Sequence, residues 1–236
     1  MGRLFDRSGI TVGQIASLLK WRPDVVYHIG IGMIYNEVKI LNEEWPGLHW
    51  YGVEPHPTLF QKIQAEGYPG PVHQVAVSDY VGKGVLHSKE RHKEGASLLP
   101  PKEVKEGEPY REIEVDVTTL DALFGKLDGH KSLLWLDIEG SELQALRGGE
   151  QFIRGIQMIN IEITANPAGV GWSSPYDVHQ WLMEHGFKKQ WTHTNRTHMG
   201  QYDSVYVRPG MFRPEYCCCP CQCKSKGMSL CDELST

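Results

Sequence analysis

The sequence predicts an α/β fold in which helices cover both faces of a parallel β-sheet. Short apolar runs typical of buried strands alternate along the chain with amphipathic segments typical of helices. The first apolar run, DVVYHI (24–29), leads directly into Gly30 and Gly32. This arrangement is typical of the strand-to-helix turn that opens such a sheet.

The elements of the first half follow from this alternation. An amphipathic helix at 10–21 should end at Arg22-Pro23, since proline cannot continue a helix. The elements predicted after it are a strand at 24–29, a helix at 34–41, a strand at 49–53, a helix at 57–64 and a strand at 72–77.

The second half continues the pattern. Thr118 or Thr119 can cap a helix that runs through Phe124, and Ser174-Pro175 can open another that Gly186 stops. The predicted strands are 84–87, 111–117, 132–138, 157–163, 187–191 and 204–207, with a further helix starting at 141–146 and a polar loop at 89–108.

Composition predicts one main domain. The chain has 236 residues, and all six cysteines lie in its last twenty. We therefore expect an N-terminal helix within 1–22, a domain at 23–209 that folds without disulfides, and a separate cysteine-rich tail at 210–236. A disordered tail without a fixed role is favoured, while metal binding shared with a partner and palmitoylation stay open.

Charge and hydropathy exclude several classes of function. The formal net charge of −5 argues against a nucleic-acid-binding surface over the whole protein. The sequence contains no apolar run long enough to span a bilayer and no signal peptide at its start. We expect a cytoplasmic protein with a small-molecule partner, without nucleic acid and without stable membrane insertion.

The first candidate site residues lie where strands end, because ligands of open α/β sheets bind outside the carboxyl ends of the strands. Gly30 and Gly32 would let a ligand approach the backbone closely, although a tight turn alone explains them equally well. Glu54 ends the second strand, 24 residues after Gly30. This spacing suits a carboxylate that accepts from ribose hydroxyls; the alternative is a solvated glutamate before a proline turn.

Further acids follow the later strands. Asp79 could accept from an adenine amino group or form an Asx turn. Asp137 and Glu139 follow the apolar strand SLLWL, where such acids need a ligand, a cation or a helix N-terminus, and helix capping could be their sole role. Glu162, flanked by isoleucines, could be a base or an acid at the core edge that pairs with a histidine.

Two functional classes fit these residues, a dinucleotide oxidoreductase and a transferase that uses a nucleoside cofactor. A nicotinamide enzyme prefers Gly-x-Gly-x-x-Gly, and Tyr35 occupies the sixth position counted from Gly30. The acids Asp137 and Glu162, with two further strands after them, favour the transferase.

The sequence resembles the FkbM-type family of S-adenosylmethionine-dependent methyltransferases. The resemblance spans about residues 24–207 and is most specific in the LDIEGSE segment with its Leu-Arg-Gly-Gly continuation. The matching segments, in order, are DVVYHIGIG, YGVEPHP, VAVSDYVGKG, GASLL, VDVTTLDAL, LLWLDIEGSELQALRGG and INIEI. It implies the Rossmann-like class I methyltransferase fold, with a seven-stranded sheet whose last strand is antiparallel.

The resemblance also implies site roles. S-adenosylmethionine would lie with its methionine part at Gly30 and Gly32 and its ribose on Glu54. Asp79 would sit near the adenine, Ser97 would close over the cofactor, and Asp137 and Glu139 would face the methyl-transfer centre. The chain departs from the family at His28, where an acid usually contacts the methionine amino group, at Ile34, where a glycine is usual, and at Leu136, where a lysine is common. His28 is still expected to bind the cofactor, since a neutral imidazole can accept a hydrogen bond from that ammonium group.

The expected activity is O-methylation of a small molecule such as a sugar or glycoside, without a metal. Asp137, Glu139 and Glu162 are the candidate bases, with His193 and His198 as outside candidates. The loop at 89–108 and the segment at 166–174 are expected to border the acceptor pocket. A cofactor-binding protein that has lost catalysis is the second reading, and a nicotinamide oxidoreductase is the third.

Overall fold

A computed structural model describes residues 22–32, 36–90, 93–103, 110–127, 129–165, 169–194 and 200–209. The predicted helix at 10–21, the cysteine-rich segment, Ile34 and His198 lie outside these ranges. Among the described residues, no helix has the length and apolar character that crossing a membrane requires.

The main sheet has seven strands in the order β3-β2-β1-β7-β8-β10-β9. All neighbouring pairs are parallel except those made by β10, which is antiparallel to both β8 and β9. The strands are β1 (Val25–Ile29), β2 (His49–Val53), β3 (Val72–His73), β7 (Ser132–Leu136), β8 (Met158–Thr164), β9 (Lys188–Thr194) and β10 (Gln201–Val207). The predicted fold class is therefore confirmed.

Helices cover both faces of this sheet because its central strands are apolar on both sides. On one face, Tyr27 and Ile29 of β1 belong to a core that includes Leu120, Phe152 and Val178 from three helices. On the other, Val26 packs in a core with Val38 and Leu41. The helices are α1 (Asn36–Glu44), α2 (Pro57–Glu66), α3 (Leu120–Phe124), α4 (Glu142–Arg147), α5 (Glu150–Arg154) and α6 (Pro175–Glu184).

A second, three-stranded sheet differs from the sequence prediction. Its order is β4-β6-β5, with β4 (Ala76–Val77), β5 (Gly82–Lys89) and β6 (Tyr110–Thr118). The single strand predicted at 72–77 is wrong: its first two residues pair with β2 and its last two with β6. The strand predicted at 84–87 is longer than expected, because all of β5 pairs with β6.

Candidate active site

A cavity of about 370 Å³ opens at the carboxyl ends of β1, β2, β7 and β8. Parallel strands bring the residues that follow them to this one edge, as expected for ligand sites in such sheets. Six acidic residues and one lysine contribute to its lining. These are Glu37, Glu54, Asp137, Glu139, Glu162, Asp203 and Lys93. The cavity therefore has a strongly negative wall.

The turn after β1 is shaped by two glycines that line the cavity. Gly30 and Gly32 have φ values of +85° and +69°, a region that side chains with a Cβ rarely adopt. A Cβ on Gly30 would lie only 1.7 Å from the Asp137 carbonyl oxygen. Gly30 is therefore required by the close approach of β1 to the end of β7, whether or not a ligand also contacts it.

Glu54 is buried beneath this turn, with 4% of its surface exposed. One carboxylate oxygen accepts from the Gly32 backbone N–H at 2.9 Å, and the other from the His56 N–H at 2.9 Å. Burial raises the pKa of Glu54 to about 7, against these hydrogen bonds, and the nearby Asp137 adds to the rise. The alternative of a solvated glutamate is therefore wrong, and each oxygen keeps a second lone pair for a ligand.

His28 lies in the cavity wall with 1% of its surface exposed. Its Nδ1 is 3.3 Å from the Tyr68 hydroxyl, and its Nε2 is 3.4 Å from a carboxylate oxygen of Glu37. The burial of the ring lowers the pKa of His28 to about 3. The neutral ring can thus donate from Nε2 to Glu37 and accept at Nδ1 from Tyr68.

Glu37 is a site residue that the sequence analysis missed. It lies in the first turn of α1, where an acid favours the positive end of the helix, so its position in the sequence has an ordinary explanation. In the structure it is buried, contacts His28 and lines the cavity. A carboxylate therefore stands beside the position where the family usually has an acid.

Asp137, Glu139 and Glu162 converge on the opposite side of the cavity. Each provides one carboxylate oxygen to a group whose members all lie within 4.8 Å of one another. Glu139 has a φ of +55°, uncommon for a residue with a side chain. The sequence analysis named these three acids as candidate bases, and the fold brings their carboxylates close together.

Of the residues that line the cavity, Glu162 has the pKa that departs most from its ordinary value. Burial, together with the nearby carboxylates of Asp137, Glu139, Asp203 and Glu142, raises its pKa to about 11. Its Oε1 accepts from the Gln201 side-chain amide at 2.9 Å. Without a positive ligand, Glu162 is therefore protonated at neutral pH.

The Glu142 carboxylate holds the turn that precedes α4. Its carboxylate accepts from the Gly140 N–H at 2.9 Å and from the Ile138 N–H at 3.4 Å. It is buried and does not line the cavity. Glu142 thus fixes this turn, and Asp137 and Glu139 remain in the cavity wall. Ser141, the N-cap residue of α4, makes no side-chain capping hydrogen bond.

Two predicted cofactor residues lie outside the cavity lining. Asp79 is exposed, and its Oδ1 is 3.4 Å from the Ser78 hydroxyl, which donates to it. Ser97 is buried, and its hydroxyl donates to the Glu139 carbonyl oxygen at 2.7 Å. Its neighbours Ala96 and Leu98 do line the cavity, so this segment borders the cavity.

The loop at 169–174 contributes packing near the site. A Cβ on Gly140 would come within 2.2 Å of the Trp172 ring, so the indole packs directly on the turn after β7. Trp172 is not part of the cavity lining. Lys93 and Asp203 are lining residues that the sequence analysis did not single out, because nothing in their local sequence marks them.

Fold and site together define a Rossmann-like protein with an acidic ligand cavity at the strand ends. The methyltransferase FkbM domain matches residues 24–189, which is more than half of the chain. The chain therefore belongs to the FkbM methyltransferase family, a family that uses S-adenosylmethionine, and the resemblance seen in the sequence is confirmed.

Solved structures share the general architecture at low identity. Magnesium protoporphyrin IX methyltransferase from Synechocystis PCC 6803, with bound SAM, is 13% identical over 79% of this chain and 70% of its own, with a TM-score of 0.47. A putative tRNA (m1A22) methyltransferase from Streptococcus pneumoniae is 12% identical over 84% and 71%, with a TM-score of 0.46. The mitomycin 7-O-methyltransferase MmcR is 11% identical over 83% and 52%, with a TM-score of 0.42. No curated protein sequence matches the chain significantly.

Proposed function

We propose that this protein binds S-adenosylmethionine in the cavity at the strand ends and transfers its methyl group to an oxygen of a small-molecule acceptor. The observation that carries the proposal is the charge of the cavity, with six carboxylic residues and one lysine in its lining. The family supports the methyltransferase chemistry. Acceptor class, cytoplasmic location and the absence of a nucleic-acid partner stay predictions.

The cavity charge favours this cofactor over a nicotinamide dinucleotide. S-adenosylmethionine carries a sulfonium and an ammonium group, and both are stabilised by nearby carboxylates. A dinucleotide carries a pyrophosphate, which the ionised acids of this lining would repel. The glycine turn offers the phosphate little, because the Gly32 N–H already donates to Glu54.

The cofactor would lie with its ribose at Glu54 and its methionine part at the glycine turn. Glu54 is held by two backbone N–H groups, and its remaining lone pairs suit the two hydroxyls of a cis-diol. Glu37 would accept from the methionine ammonium in place of an acid at position 28, with His28 as the residue that positions it. Asp79 and Ser97 would act only at the border of the site.

The main contribution of the protein to the reaction would be to position the two reactants. The acceptor oxygen attacks the methyl carbon in line, the new O–C bond forms, and the S–C bond breaks with its electron pair passing to sulfur. In the same step the acceptor hydroxyl gives its proton to one of the carboxylates of Asp137, Glu139 and Glu162, which later releases it to solvent. The products are the methyl ether, S-adenosylhomocysteine and a proton.

Calorimetric titration with S-adenosylhomocysteine tests the proposal. Glu54→Ala should weaken binding at least tenfold, because it removes the ribose acceptor and the anchor of the Gly32 turn. Glu66→Ala, an exposed site on α2, is the matched control and should bind like the wild type. Unchanged affinity in Glu54→Ala would remove the ribose assignment, and no binding by the wild type would remove the proposal.

A further inference from the structure

The turn after β7 contains a residue in an unfavourable backbone conformation. Glu139 has a φ of +55°, in a region that side chains with a Cβ rarely adopt. The residue lines the cavity, and its carboxylate lies beside those of Asp137 and Glu162. A residue in such a conformation keeps it only where the surrounding structure holds it there. The contacts that hold Glu139 therefore decide where its carboxylate lies.

The hydroxyl of Ser97 is bonded directly to this strained residue. It donates to the Glu139 carbonyl oxygen at 2.7 Å and accepts from the Leu99 backbone N–H at 3.1 Å. The bond from Leu99 uses one lone pair of the hydroxyl and leaves its single hydrogen for Glu139. Because Ser97 is only 5% exposed, water competes little for this hydrogen bond.

The backbone of Ser97 is fixed by the second sheet. Its N–H donates to the His87 carbonyl oxygen at 3.1 Å, and its own carbonyl accepts from the His87 N–H at 2.8 Å. His87 lies within β5, which pairs with β6 along its whole length. Gly95, two residues earlier, also approaches Glu139, since a Cβ placed on it would be 4.0 Å from the Glu139 Oε1. The second sheet thus supports Glu139 through this segment.

The other half of the turn has anchors of its own. The Glu142 carboxylate accepts from the Gly140 N–H at 2.9 Å. The Gly140 carbonyl accepts from the Ser173 backbone N–H at 2.9 Å and from the Ser173 hydroxyl at 3.1 Å. These bonds fix Gly140 and the start of α4, and none of them is made to Glu139. Loss of the Ser97 hydroxyl should therefore release Glu139 while α4 keeps its start.

We propose that Ser97 is a positioning residue that holds the Glu139 carboxylate at the methyl-transfer centre. The inference rests on the proposed function, in which Glu139 faces that centre. Ser97 does not line the cavity, so it acts through Glu139 and not on the cofactor itself. A carboxylate held in a fixed place stabilises the positive sulfonium of S-adenosylmethionine, whereas the neutral thioether of S-adenosylhomocysteine gains little from it. Ser97 should therefore affect the binding of the two ligands differently.

A calorimetric double-mutant cycle on the full-length protein tests this role. Ser97→Ala should weaken binding of S-adenosylmethionine at least fivefold and binding of S-adenosylhomocysteine less than twofold. Glu139→Gln should give the same pattern. The double variant should bind S-adenosylmethionine within twofold of Glu139→Gln, because a residue that acts through Glu139 has no effect once that charge is gone.

Ser88→Ala is the matched control. Ser88 is also buried, but its hydroxyl donates to the carbonyl of the neighbouring Lys89 at 3.3 Å and makes no bond to the turn after β7. This variant should change neither affinity. Ser97→Cys keeps the buried volume and replaces the hydroxyl by a weak donor, so it should show the selective loss even if Ser97→Ala does not fold.

The outcomes separate this inference from the proposed function. Equal losses for the two ligands, no loss in either Ser97 variant, or independent losses in the double variant would overturn the role of Ser97. If the wild type binds both ligands in those cases, the proposed function stands and the inference alone fails. A wild type that binds neither ligand would overturn both.

Discussion

At the residue scale, the pair formed by His28 and Glu37 explains how the chain departs from its family without losing an acid at the site. The sequence shows a histidine where an acid is usual, and the pairing with Glu37 depends on a contact between a strand and the next helix. Sequence reasoning could not find it, because an acid in the first turn of a helix is common for reasons of helix stability alone.

This arrangement makes a prediction about the two parts of the cofactor. Glu37→Gln should weaken binding of S-adenosylhomocysteine at least tenfold, because it removes the charge opposite the ammonium group. Binding of 5′-methylthioadenosine, which lacks the amino-acid part, should change less than twofold. Calorimetry on both ligands measures this, with Glu43→Gln on the exposed side of α1 as the matched control. Equal losses for both ligands would contradict the assignment.

The burial of His28 predicts a pH effect on stability. Its pKa in the folded protein is about 3, below the usual value of 6.5, so the unfolded chain binds an extra proton between these limits. The free energy of unfolding should therefore fall as the pH drops from 6.5 toward 3. At pH 5 the free energy of unfolding should be about 2 kcal/mol lower for this reason than at pH 6.5 and above, from roughly 1.4 kcal/mol per pH unit.

The measurement is urea unfolding of the wild type and of His28→Gln at pH 7.5 and pH 5. The wild type should lose more stability between the two values than the variant, since the other buried titratable groups are common to both. Equal losses of stability in the two proteins would mean that the pKa of His28 is not lowered in the folded protein.

At the element scale, the strands whose apolar runs are longest were predicted almost to the residue. β2 has the predicted bounds, and β7 ends two residues before the end of the strand predicted at 132–138. The prediction of one strand at 72–77 failed because the two ends of this segment pair with different strands, β2 and β6, which are distant in the chain. Pairing of this kind leaves no trace in local hydrophobic periodicity.

The turn from β1 to α1 is the element on which the site depends most. Gly30→Ala should destabilise the protein by roughly 3 kcal/mol or more, because it combines an unfavourable φ with a collision against the Asp137 carbonyl. Gly67→Ala is the control. Gly67 also has a positive φ, of +78°, but a Cβ there meets nothing within 4 Å. It should cost about 1 kcal/mol.

Urea unfolding of the two variants measures the difference. A loss in Gly30→Ala no greater than that in Gly67→Ala would mean that the end of β7 can move away from the turn. The close approach would then not be a fixed feature of the site.

At the scale of the whole molecule, the sheet order brings acids from distant parts of the chain to one edge. Glu54, Asp137 and Glu162 were predicted as site residues because each stands at the end of an apolar strand, and all three line the cavity. Asp203 was not predicted as a site residue. Because β10 is antiparallel to β8, its first residues, and not its last ones, lie at that edge. The site's negative charge is thus a property of the topology more than of any single motif.

The most direct test of the central claim is a calorimetric comparison of two ligands on the wild-type protein. S-adenosylhomocysteine should bind with one molecule per chain, and NAD⁺ should give no saturable signal, because an acidic cavity accepts an ammonium group and repels a pyrophosphate. Saturable binding of NAD⁺ with none of S-adenosylhomocysteine would contradict the account.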